Sequence, residues 1–184
     1  MTSIFFGGSR KISRLSQAVK ARLDVLIAKD HVVLVGDANG VDKAVQTYLA
    51  GVIYKNVRVY CMDFECRNNL GAWEVVSVDS KGRKKDFSYF ALKDARMSQD
   101  ANYGFMIWDG VSKGTLNNTL NLVQQGKPVV VYFAPSSDFV SVRSRDDVLE
   151  LVNRCSAEAR NDLNKTIDLD SRSSTHQGNL FEGQ

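Results

Sequence analysis

The chain is short of the residues that most metal and nucleophilic sites draw on: it has three cysteines and two histidines in 184 residues. Cys61 and Cys66 are separated by four residues with no second Cys or His pair downstream, and Cys155 stands alone. Neither a zinc cluster nor a disulfide framework is indicated, and the thiols read as reduced. His31 opens an apolar run and His176 lies in a polar stretch, which leaves a Ser-His-Asp or Cys-His engine little to work with. Any chemistry falls to carboxylates, hydroxyls or a bound substrate, and no metal or cofactor is expected. Long apolar runs are also missing: none approaches the roughly 20 residues of a membrane span, and residues 1–10 lack the basic-then-apolar layout of a secretory signal. A cytoplasmic protein with no membrane contact is expected. An excess of charge is absent too, since 24 Lys and Arg against 21 Asp and Glu leave +3. That falls short of a dedicated duplex-DNA binder, so nucleic acid is allowed but not implied.

What is present is an ordinary globular composition, 43% hydrophobic and 24% charged, in a length that suits one α/β domain. Short apolar runs at 3–6, 32–35, 57–62, 104–108 and 129–133 alternate with amphipathic stretches, the order of a βα repeat. Their near-continuous Val, Ile and Phe content predicts strands covered on both faces. Between them, Leu15, Val19, Leu23, Leu26 and Ile27 give one apolar helical face, with Ser13 as a candidate N-cap. A second helix carries Val41, Ala44, Val45 and Leu49, a third spans 87–100, and a fourth spans 116–125, ended by Gly126 with Pro128 beyond it. Residues 72–78 and the basic turn at 79–85 read as half of an edge hairpin. The expectation is a Rossmann-like three-layer α/β core over 1–135, with a mostly parallel five-stranded sheet and an edge hairpin. A linker and C-terminal helix over 136–164 pack on it, and 165–184 form a disordered tail.

Glycine follows three of the strands. The junctions read Gly7-Gly8-Ser9-Arg10, then Gly36-Asp37-Ala38-Asn39-Gly40-Val41-Asp42, then Asp109-Gly110-Val111-Ser112-Lys113-Gly114-Thr115. In a parallel sheet such junctions share the carboxyl edge, where helix N-termini turn free N–H groups toward one crevice. Glycine lets backbone approach a ligand closely, and Ser9, Ser112 and Thr115 add hydroxyls, an arrangement suited to phosphate. Tight turns before helices use glycine for steric reasons as well. Asp37, Asn39 and Asp109 would then read ribose or base, while Asp42, two residues into a helix, reads first as a structural group and only second as a ligand contact. The pattern is neither the G-x-G-x-x-G dinucleotide fingerprint nor a Gly-Lys-Ser/Thr phosphate loop, which disfavours hydride transfer and ATP hydrolysis.

Taken together, Gly8-Ser9-Arg10, the Gly-Asp-Ala-Asn-Gly-Val-Asp-Lys-Ala block at 36–44, and Trp108-Asp109-Gly110 with Ser112-Lys113-Gly114-Thr115 resemble the SLOG superfamily of Rossmann-like domains. That group includes DprA, the "lonely guy" phosphoribohydrolases and the YpsA-like proteins. The similarity spans about residues 1–133, and its combination of blocks is nearest the YpsA-like branch. It implies a nucleotide or ADP-ribose-like ligand at the carboxyl edge, a homodimer or higher homo-oligomer, and in some members a sensing role in bacterial or phage defence and stress pathways. The phosphoribohydrolases end their glycine motif with a catalytic glutamate, and the corresponding position here is Asn118. An amide cannot act as that carboxylate does, which weakens an N-glycosidase reading. Arg96 matches a functional arginine of those enzymes and is a candidate phosphate clamp, or else an exposed partner of Asp100 at i+4. Arg96, Asp109 and Asn118 are thus weak catalytic candidates, with Glu65, Asp94 and Asp100 as substitute carboxylates.

The leading expectation is recognition of a nucleotide-derived small molecule by Gly7, Gly8, Ser9, Arg10, Gly36, Asp37, Asn39, Gly40, Asp109, Gly110, Ser112, Gly114 and Thr115. The first alternative is a nucleoside-monophosphate phosphoribohydrolase or a related N-glycosidase or transferase. The second is DprA-like single-strand DNA binding, for which Arg10, Lys11, Arg14 and the 80–85 turn would supply cations.

Overall fold

The five apolar runs are all strands in the computed structural model, which describes residues 1–178. In chain order the elements are β1 (Ser3–Gly8), α1 (Gln17–Ala28), β2 (Val32–Gly36), α2 (Val41–Gly51), β3 (Val57–Met62), β4 (Glu74–Val78) and α3 (Phe87–Asp100). They continue with β5 (Tyr103–Trp108), α4 (Lys113–Gln124), β6 (Val129–Phe133), β7 (Asp138–Val142), α5 (Arg145–Asn153) and α6 (Ala157–Gly178). The strands form a single sheet in the order β4-β3-β2-β1-β5-β6-β7, parallel except for β7. The result is a three-layer α/β fold.

Side-chain alternation along the strands divides the core into two halves. Ile4 and Phe6 of β1 pack with Val33, Val35, Phe105 and Ile107 under α1 and α2. Phe5, Leu34, Tyr60, Met106 and Trp108 face the other way, under Met97 of α3, Leu116 and Leu120 of α4, and the C-terminal helices. Both faces are covered, which is why the strands carry apolar residues almost without interruption. Cys61, Cys66 and Cys155 are all free thiols, and burial pushes that of Cys61 up to about 12.

Four expectations about the elements need correction. The sheet has seven strands, the five core runs with one more at each edge: the expected strand at 72–78 is β4, which pairs parallel with β3 and not in a hairpin, and β7 is the other. The edge hairpin lies at the opposite edge: β7 folds back antiparallel on β6 from the stretch read as a linker. Ser137 turns that corner in the left-handed region (φ 56°), and a polar Ser-Ser-Asp turn conceals a strand of only five residues. The last helix is two: α5 starts with a reciprocal capping box between Ser144 and Asp147, and α6 continues to Gly178, past the predicted end at 164. The part of the predicted tail at 179–184 lies outside the described residues. The first helix is capped by Ser16, whose hydroxyl accepts from the Val19 N–H at 3.3 Å, and not by Ser13.

Candidate functional site

The sheet order reverses direction between β1 and β5. Chain leaving the carboxyl end of β1 leads toward β2, and chain leaving β5 leads toward β6, so the two following loops part and leave a crevice. A cleft of about 590 Å³ lies there. Its back is Gly7 and Gly8, one wall is Lys93 and Met97 of α3, the other is Asp109 with the first turn of α4, and its floor is Asp94 and Asn118. Arg10, Lys11 and Lys85 stand exposed on the rim.

The cleft gathers Gly7, Gly8, Arg10, Asp109, Ser112, Gly114, Thr115 and Asn118 from the sequence candidates. Gly114 has nothing within 4 Å of where a side chain would begin, so α4 presents a bare N-terminal turn to the cleft. Ser112 caps that turn, its hydroxyl accepting from the Thr115 N–H and hydroxyl. Asp109 spends one carboxylate oxygen on its own loop, accepting from the N–H groups of Val111 and Ser112 at 3.1 and 2.9 Å. That use is structural and shapes the loop.

The other glycines serve chain packing. A Cβ on Gly8 would sit 2.3 Å from the Ile107 carbonyl oxygen and 2.7 Å from Val41 Cγ2, and one on Gly40 would sit 2.4 Å from the Arg10 carbonyl oxygen. Gly40 also has φ 83°, which disfavours any side chain. Ser9, fully buried, ties the loops together: its N–H donates to Ile107 O at 3.0 Å, and its hydroxyl accepts from the Asp109 N–H at 3.1 Å. Ser9, Gly36, Asn39, Gly40 and Gly110 do not line the cleft. Gly8→Ala is expected to cost about 3 kcal/mol of stability in urea denaturation, because the obstacle is backbone that cannot rotate away.

Asp37 does not line the cleft and is engaged by protein groups. Its carboxylate accepts from Arg67 Nε at 2.8 Å and Arg67 Nη2 at 2.6 Å, and from Lys93 Nζ at 2.9 Å. Burial alone would raise its pKa, but Arg67 and Lys93 hold it well below the usual carboxylate range. Lys93, 3% exposed, is the hub of this wall, with Asp94 3.9 Å away and Asp42 within its field. Burial disfavours the Lys93 ammonium, yet Asp94, Asp42 and Asp37 outweigh it and raise its pKa. Burial pushes the Asp42 carboxyl up to about 6 and raises that of Asp94 as well, against the opposing pull of Lys93. Asp94 faces the cleft, where it accepts from Asn118 Nδ2 at 3.2 Å. The Asn118 carbonyl oxygen is buried and has no hydrogen-bond partner among the described residues, a state that costs about 1–3 kcal/mol until a donor arrives.

No protein-family description matches this sequence, and no curated protein matches it. In fold it is similar to DNA processing protein A from Helicobacter pylori, described for its mode of single-stranded DNA binding. The likeness has a TM-score of 0.57 at 16% identity, over 91% of this chain and 80% of that one. At that identity the likeness is one of fold. It supports the Rossmann-like architecture and leaves the YpsA-like branch without support.

Arg96 stands apart from the cleft: it is exposed and donates to Asp100 at 2.8 Å, the partner four residues on. Of the substitute carboxylates, Asp94 alone reaches the cleft, since Asp100 accepts from Arg96 and Tyr60 and Glu65 accepts from Lys85 at 2.6 Å. The cleft residue that sequence reading missed is Lys93. Phe90 lines the cleft with the Arg10 and Arg67 guanidinium carbons 5.6 and 4.9 Å from its ring centre. Among the described residues no helix is long and apolar enough to cross a membrane.

Proposed function

We propose that this protein binds single-stranded nucleic acid along the carboxyl edge of the sheet, with one nucleotide unit seated in the cleft. The observation that carries this reading is a rim of exposed Arg10, Lys11 and Lys85 around a cleft walled on one side by the bare N-terminus of α4. The cations and the helix dipole both favour phosphate. The crevice lies at the position where open α/β sheets hold ligands, and the fold likeness to a protein described as binding single-stranded DNA agrees with that use.

Fluorescence anisotropy of a labelled single-stranded oligonucleotide, ribo or deoxy, tests the reading. Three phosphate contacts give a slope of about −2 in log affinity against log salt. Arg10→Glu with Lys11→Glu is expected to weaken binding at least about tenfold and flatten that slope. The absence of binding to either strand type would overturn the reading.

A free nucleotide is the second reading, favoured by the bounded floor that Asp94 and Asn118 give the cleft. It takes precedence if a nucleoside monophosphate displaces the oligonucleotide at equal concentration. Release of free base in that mixture would assign Asp94 the carboxylate function that Asn118 cannot supply.

A further inference from the structure

The floor of the cleft accepts hydrogen bonds and does not match the phosphate-seeking rim. Asn118 lies four residues beyond Gly114, so both are on the same face of α4. It is 6% exposed, lines the cleft, and holds a carbonyl oxygen with no partner among the described residues. Beside it is the Asp94 carboxylate, already engaged by the Asn118 amide nitrogen at 3.2 Å. Two acceptors side by side call for a ligand group that donates.

The position of that group follows from helix geometry. Four residues separate Gly114 from Asn118, about 6 Å along the axis. In a nucleotide the sugar adjoins the phosphate and the base lies beyond it. With a phosphate at the first turn of α4, the part that reaches the floor is therefore the sugar edge. Inside a nucleic-acid strand the 3′ oxygen is esterified and has no proton to give. A deoxyribose there offers no O–H at all, whereas a ribose keeps its 2′-hydroxyl, a donor as well as an acceptor. A neutral amide at position 118 is suited to this task, because a further carboxylate would add to Asp42 and Asp94 in a cleft that also takes phosphate.

We infer that the Asp94 and Asn118 floor receives a ribose 2′-hydroxyl, so that the cleft selects single-stranded RNA over single-stranded DNA. This rests on the strand-binding reading above and adds the identity of the sugar.

The test uses the full chain with oligouridylate, oligodeoxyuridylate and 2′-O-methyl oligouridylate of one length, so that base and phosphates are constant. The expected result is that the ribo strand binds about tenfold more tightly than the deoxy strand. The 2′-O-methyl strand, which has lost the donor, behaves like the deoxy strand. Asn118→Leu, of similar volume and without the acceptor, closes the gap between ribo and deoxy to within about twofold. The 2′-O-methyl comparison needs only the native protein and stands even if that variant fails to fold. Equal affinity for ribo and deoxy strands, or a preference for deoxy, overturns the inference and leaves strand binding intact. Failure to bind any of the three overturns both.

Discussion

Lys93→Met is expected to lower folding stability by about 3–5 kcal/mol at neutral pH, the largest effect of any single substitution on this wall. The side chain is 3% exposed and its ammonium is 2.9 Å from Asp37 and 3.9 Å from Asp94. Methionine fills the volume without the charge, so the loss measures the electrostatics and not a cavity. Asp37 keeps its two-pronged contact with Arg67, but Asp42 and Asp94 are left without their buried cation. Both already have pKa values above the ordinary carboxyl, Asp42 at about 6, and removal of Lys93 raises them further. A carboxyl whose pKa is higher folded than unfolded binds more protons in the native state between the two values. By linkage, stability then falls as pH rises through that window and recovers as pH drops toward about 4. Urea denaturation of Lys93→Met is therefore expected to show a much smaller deficit at pH 5 than at pH 8. A deficit that does not change with pH would mean that Lys93 contributes packing alone.

The framework of the fold was legible in the sequence because burial on both faces of a parallel strand leaves a mark that local chemistry does not obscure. The runs that became β1, β2, β3, β5 and β6 were placed to within two residues at each end. At the edges, β4 was read as a strand but with the wrong pairing, and β7 was missed for a physical reason: its five residues mix Asp and Ser with Phe and Val. The location of the cleft was also legible, since three glycine-bearing junctions must converge on one sheet edge.

The roles within it were not, because a glycine approached by a ligand and one approached by another stretch of chain read identically. Gly8 and Gly40 belong to the second kind, whereas a side chain at Gly114 would meet open space. Asp37 resembled a sugar reader until the fold brought Arg67 to it from a loop with no periodic pattern. Lys93 did leave a signal. Tyr89, Lys93 and Met97 recur at a spacing of four on α3 and are all buried, so a lysine sits within the apolar stripe of its helix. A charge in that position requires buried counter-charges, and the acidic residues of the 36–44 block were the candidates to supply them.

Gly114→Asp is expected to abolish strand or nucleotide binding while leaving the domain folded, and the two halves of that statement have separate causes. Position 114 is the second residue of α4, after Ser112 as N-cap and Lys113. A side chain built there meets nothing within 4 Å, and the backbone needs no conformation reserved for glycine. An acidic residue in the first turn also interacts favourably with the helix dipole, by about 0.3–1 kcal/mol, so thermal stability should hold or rise slightly. The same carboxylate occupies the place where phosphate would meet the free N–H groups, and it repels a second anion. Affinity for an oligonucleotide should drop by at least about a hundredfold, a size that loss of one neutral contact does not reach. Gly114→Ala separates sterics from charge: it adds volume without charge and improves helix propensity, so binding should weaken by less than about fivefold. If Gly114→Asp binds as tightly as the native chain, phosphate does not dock at the N-terminus of α4. If Gly114→Ala is as damaging as Gly114→Asp, the close approach of backbone matters there more than the field.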